Sequence, residues 1–274
     1  MVIELLGSSG AGKTTLADAL AHRLRLEGYT VRAVIGRRTG LLARSLARSL
    51  GAIQSWSLGA PQARLATVLM GLLPPRSFLW SIRLRGYISY LCDISIGSPS
   101  GEDIMLLDQG FVQLVCSFVV LSGIIDRLRI TEALACVPKP DLVIRVDASF
   151  EILGTRLFKR QQHLGPIQRQ LELDLQTSLE QVNIVKMLSE MLASEGQHSV
   201  TVSCSDERSI AAAIEKIMSE IRSRAGNPPA PHCALSMPMS DLGSGPECPA
   251  IFRSTRGSRW RPMQGGAKYR RNSR

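Results

Sequence analysis

Only 5% of the 274 residues are aromatic, and no apolar run approaches the roughly 20 residues that span a bilayer. The most apolar stretch, residues 111 to 125, is about 15 residues long and is interrupted by Gln113, so it reads as a buried helix and argues against a membrane partner. The six cysteines (Cys92, Cys116, Cys136, Cys204, Cys233 and Cys248) contain no CxxC pair and no spacing suited to zinc. They are expected to be reduced thiols, mostly buried. There is no internal repeat. The N-terminus has neither the basic start nor the small-residue cleavage site of a signal peptide, so cytoplasmic residence is the expectation.

What is present suffices for a core: 45% of residues are hydrophobic and 20% charged. The net charge of +10 is unevenly placed. Residues 226 to 274 carry eight basic side chains, from Arg253 to Arg274, against Asp241 and Glu247, which is +6 of the total. Half of the 14 prolines also fall there, without any apolar period. Such a segment cannot bury enough surface to offset its ordering entropy, and a disordered basic tail is predicted for 226–274 after one domain over 1–225.

Within that domain, Val2 to Leu6 reads as a strand buried on both faces. Leu16, Leu20 and Leu24 then recur at helical spacing over Lys13 to Glu27, with Gly28 as the stop signal. Thr30 to Ile35 is a second strand, so residues 2 to 35 form a βαβ unit. Residues 40 to 97 repeat Leu, Ala and Arg at helical intervals, broken by Pro61, Pro74 and Pro75, and predict three helices. Further strands are expected over Asp103 to Leu107, Asp141 to Val146 and Ser199 to Ser203. Helices are expected over 110–122, 126–136, 150–162, 168–194 and 206–223. This alternation predicts an α/β fold, a five-stranded parallel sheet with helices on both faces.

Gly7-Ser8-Ser9-Gly10-Ala11-Gly12-Lys13-Thr14, followed by Thr15, satisfies the G-x-x-x-x-G-K-[ST] pattern of a phosphate-binding loop between a strand and a helix. Its glycines leave no side chain between backbone N–H groups and phosphate oxygens, and the helix N-terminus adds partial positive charge. Lys13 is expected to reach the β- and γ-phosphates of ATP, and the Thr14 hydroxyl to ligate Mg²⁺. A glycine-rich turn with a capping threonine is the plain alternative. Asp108 ends an apolar strand, where a second carboxylate could hold Mg²⁺ through water or take a proton from an attacking hydroxyl; the plain alternative is a cap for the following helix. Arg156 and Arg160 share one helix face, beside Lys159, where they could screen charge on a transferring phosphoryl group or form a solvated basic face. Trp56, Trp80, His22 and His163 read as packing or surface residues.

Taken in order, these segments resemble the thymidylate kinase group of P-loop nucleotide kinases over residues 1 to 224. The phosphate loop carries most of the likeness. Gly36-Arg37-Arg38-Thr39-Gly40 resembles the segment after that family's second strand. Asp108-Gln109-Gly110 stands where an Asp-Arg pair is usual, with Arg83 or Arg85 at the distance of a substrate-binding arginine. Pro140 to Asp147 matches the fourth strand, and residues 150–168 stand where the lid begins. The resemblance implies a P-loop NTPase fold with a helical substrate side over 40–97, and Arg37, Arg38, Arg83, Arg85 and Gln109 at an anionic acceptor. Gln109 departs from the family pattern and cannot neutralise a phosphate, and Arg37-Arg38 lacks the family's Glu-Pro. A nucleoside monophosphate acceptor therefore does not follow.

The leading expectation is a kinase that transfers the γ-phosphoryl of Mg-ATP to a small molecule, with a nucleotide or nucleoside as the candidate acceptor. The altered Asp108-Gln109 pair supports an alternative, a non-catalytic ATP-binding regulatory module. A third reading gives the tail, with Trp260 and Tyr269 among its arginines, to single-stranded nucleic acid. A homodimer is left open by the sequence.

Overall fold

Strand β1 (Val2–Leu6) is the centre of the molecule. It is flanked on one side by β3 (Ile104–Leu107) and then β2 (Val31–Val34), and on the other by β4 (Leu142–Asp147) and then β5 (Ser199–Ser203). Every pairing in this five-stranded sheet is parallel. The pattern follows position: β3, with Ile-Met-Leu-Leu, is buried throughout, whereas the edge strand β5 alternates exposed and buried residues. The computed structural model describes residues 1–35, 61–96, 104–162 and 175–225. These lie within one unit, Met1–Leu235.

The helices are α1 (Lys13–Leu26), α2 (Pro61–Leu72), α3 (Phe78–Ile96), α4 (Phe111–Ser122), α5 (Arg127–Ala135), α6 (Phe150–Gln162), α7 (Leu175–Ser194) and α8 (Glu207–Ala225). Local chemistry sets their ends. Pro61 opens α2, where a missing N–H costs nothing, and Pro74-Pro75 separate α2 from α3. The Asp126 carboxylate accepts the Leu128 N–H at 2.9 Å and caps α5. Gly28, at φ +92°, follows α1 as the stop signal requires.

Side chains of β1 alternate between two cores. Ile3 and Leu5 pack with Leu16, Leu20 and Leu24 of α1 and with Ile217 and Ile221 of α8. Leu6 packs on the other face with Leu69 of α2, Ile88 of α3, Phe118 of α4 and Leu188 of α7. Burial of each such side chain contributes about 1.5 to 3 kcal/mol. Helices thus cover both faces, and the predicted α/β architecture is the observed one.

The differences lie at element ends. Strand β2 is shorter than the predicted 30–35, and two of the three helices predicted in 40–97 are described. The remainder of that region, residues 163–174 of the lid and start of the long helix, and the predicted tail 226–274 lie outside the described residues.

Candidate nucleotide site

Because β1 is central, the loop Gly7 to Lys13 emerges at the C-terminal edge of the sheet between two neighbouring strands, where open α/β sheets bind ligands. Gly12, at φ +100°, makes the turn into α1, and a Cβ there would stand 3.2 Å from the Cys204 Cβ. Helix α1 has no side-chain cap at Gly12 and no acidic residue in its first turn. Its leading N–H groups are therefore suited to an anion. Two glutamines hold the preceding part of the loop: Gln113 Oε1 accepts the Gly7 N–H at 3.0 Å, and Gln181 Oε1 accepts the Ser9 N–H at 2.8 Å. Both glutamines are buried, as is Ser8.

Lys13 is half-buried, with Nζ donating to the carbonyls of Gly7 at 2.6 Å and Ser8 at 2.9 Å. Burial lowers its pKa to about 8; the Asp108 charge acts upward and that of Arg160 downward. A bound triphosphate would favour the charged form and draw Nζ away from those carbonyls. Thr14, the next residue, donates its hydroxyl to Asp108 Oδ2 at 3.2 Å, while Thr15 is exposed.

Asp108 follows β3, which pairs directly with β1, so the sheet itself carries this carboxylate to the loop. It is 1% exposed. The N-cap of α4 is Gly110, which has no side chain to cap the helix. At the first turn of α4, the carboxylate of Glu4 in β1 accepts the Gln113 N–H, with N 2.7 Å from Oε1. Burial pushes Glu4 up to about 7 against the opposing pull of the backbone N–H groups from Gly110 to Gln113.

The arginines divide. Arg160 is exposed, and its charge is felt at Lys13. Arg156 donates to the carbonyls of Gly10 at 3.2 Å, Cys204 at 2.8 Å and Ser205 at 2.9 Å. The spacing leaves it either screening phosphates or on a solvated face; in the structure its guanidinium braces the loop against the segment after β5, because these carbonyls at a turn and at a strand end need donors. The Arg83 guanidinium lies 4.2 Å from the centre of the Trp80 ring. Arg85 Nε turns to Met70 Sδ of α2 at 3.0 Å, the separation that an i, i+2 pair implies. Gln109 is exposed, and its carbonyl accepts the Tyr87 hydroxyl at 2.5 Å. Arg37 and Arg38 lie outside the described residues.

Sequence reading missed Glu4, Gln113, Gln181 and Tyr87. Glu4 signals itself as the one charged residue of β1, and Gln113 as the interruption in the 111–125 run. Nothing local marks Gln181 or Tyr87. For Mg²⁺, the donors at hand fit: the Thr14 hydroxyl and the Asp108 carboxylate are hard oxygen ligands, close together beside the uncapped start of α1. Among the described residues, no helix is long and apolar enough to cross a membrane.

No family model matches the chain, and no curated protein matches its sequence. Among solved structures it is similar to deoxyadenosine kinase from M. mycoides with the products dCMP and a flexible dCDP bound, at TM-score 0.46 and 13% identity, covering 81% of this chain and 100% of that one. The same enzyme with bound dATP gives TM-score 0.46 and 12% identity, and with bound dCTP TM-score 0.44 and 13%, each covering 81% of this chain and 100% of that chain.

Proposed function

We propose that the chain is an ATP-dependent phosphotransferase acting on a small-molecule hydroxyl, with a nucleoside or nucleotide as the acceptor class. The observation that carries the reading is the 3.2 Å approach of the Thr14 hydroxyl to the buried Asp108 carboxylate beside an uncapped helix start. A glycine-rich turn built for structure alone needs no second buried carboxylate from the adjacent strand.

In this reading Gly7 to Thr15 cradle the phosphates, Lys13 binds the β- and γ-phosphate oxygens, and Arg160 offsets charge on the moving phosphoryl group. Thr14 and Asp108 would hold Mg²⁺, which would supply positive charge to offset that of the phosphates. The bond from the γ-phosphorus to the β-phosphate oxygen breaks, and one to the acceptor oxygen forms. Asp108 receives the hydroxyl proton. Arg83 over Trp80, with Tyr87 on the same helix face, offers a cationic and aromatic surface for the acceptor, with Arg37, Arg38 and Gln109 as further candidates.

The test is ADP release by the purified protein with Mg-ATP across nucleosides, nucleoside monophosphates and sugars. Acceptor-dependent release is expected with one class. Asp108→Asn should lower it on the order of a hundredfold or more while sparing the ATP binding measured without Mg²⁺, and Lys13→Ala should lose both. Unchanged turnover in Asp108→Asn would remove that carboxylate from the mechanism. The exposed Gln109 in place of a cation favours the second reading, a non-catalytic ATP-binding module, which tight ATP binding without acceptor-dependent release would support.

A further inference from the structure

Glu4 sits in the middle of the central strand, 1% exposed, on the face that Leu6 presents to α4. An ionisable group in such a position carries a desolvation cost that an aliphatic residue would avoid. Its carboxylate accepts the Gln113 N–H at 2.7 Å, and the backbone N–H groups of Gly110, Phe111 and Val112 also favour its charged form. The fit is close: a Cβ on Gly110 would lie 2.4 Å from Glu4 Cδ, so only glycine admits the carboxylate there. Two connections run outward from this contact. Gly110 is two residues beyond Asp108, and the Gln109 carbonyl between them is held by Tyr87 at 2.5 Å. Gln113, whose N–H Glu4 accepts at 2.7 Å, in turn accepts the N–H of Gly7, the first residue of the phosphate loop, at 3.0 Å.

We infer that Glu4 is a positioning residue of the nucleotide site: through the start of α4 it fixes Asp108 against Thr14, and through Gln113 it fixes the first turn of the phosphate loop. Glu4 acts through its neighbours; the contacts above bind it to the residues that hold the two halves of the site. The inference rests on the reading of Thr14 and Asp108 as a Mg²⁺ site given above. Outer residues that orient ligands in this way typically change metal affinity 10- to 100-fold when altered.

The experiment uses the full chain and two readouts, melting temperature and ATP affinity by calorimetry in Mg²⁺ and in EDTA. Glu4→Gln keeps the shape but aims an amide N–H₂ at backbone donors, and Glu4→Asp keeps the charge but withdraws it by one methylene. In Glu4→Gln the Mg²⁺-dependent gain in ATP affinity should fall about tenfold, with a smaller loss in Glu4→Asp. In an Asp108→Asn background, Glu4→Gln should cost no further Mg²⁺-dependent affinity, because the two act through one element. A folded variant that melts lower yet keeps the wild-type gain would make Glu4 a helix cap and nothing more, overturning the inference. Should Glu4→Gln fail to fold, Glu4→Asp carries the same two outcomes. If Asp108→Asn itself leaves the gain unchanged, the Mg²⁺ reading falls at its own residue and the Glu4 inference with it. That result differs from an inert Glu4 variant beside an impaired Asp108→Asn.

Discussion

Glu4 shows how one residue couples burial, charge and pH. Its carboxyl titrates near 7 in the folded chain against an ordinary value of 4.5, with burial as the chief cause. A carboxyl raised in this way binds a proton more tightly in the native state, so its contribution to stability is full below about pH 4.5 and is lost as pH rises to about 7. The shift corresponds to on the order of 3 kcal/mol, and Glu4→Gln should flatten that part of the curve when unfolding free energy is measured by denaturant at successive pH values. A slope identical in Glu4→Gln would assign the pH dependence to other groups. Gly110 belongs to the same contact. The close approach that its missing Cβ permits is that of Glu4.

At the level of elements, α6 joins two loops that the sheet leaves apart in sequence. The three carbonyls that Arg156 bridges lie at Gly10, Cys204 and Ser205, on the phosphate loop and just beyond β5. Removing a half-buried guanidinium from such contacts costs about 1 to 2 kcal/mol after allowance for solvent. Arg156→Ala should therefore weaken ATP binding about tenfold and lower the melting temperature. Arg156→Lys should recover little, because an ammonium on a flexible stem does not reproduce a planar fork spanning three carbonyls. Slower turnover with unchanged stability and ATP affinity would return Arg156 to the role of a phosphate-screening cation. For Arg160, one turn on, that role is the proposal made above, and its charge is felt at Lys13. Spacing put both arginines on one face; it could not say that one would be spent on backbone carbonyls.

For the whole molecule, the two cores on either side of the sheet are built from residues 1 to 225, and the charge of the basic segment beyond them is the ground on which a nucleic-acid contact is proposed there. Truncation after Ala225 is expected to leave melting temperature and ATP affinity unchanged and to abolish any binding of single-stranded nucleic acid, measured by fluorescence polarisation. Retained nucleic-acid affinity would move that site into the domain. The strands, the α1 stripe of Leu16, Leu20 and Leu24, the loop Gly7 to Thr14 and the carboxylate at Asp108 were legible in the sequence, because each is written in local periodicity or in a short pattern whose chemistry demands those residues. Strand order, and with it the meeting of Thr14 with Asp108, was only implied. Tertiary structure alone decided that Glu4 would cap α4, that Gln113 and Gln181 would take the Gly7 and Ser9 N–H groups, and that Tyr87 would hold Gln109. These contacts join residues 22 to 172 positions apart, and no local pattern encodes them, since each is fixed by which strands and helices the sheet sets side by side.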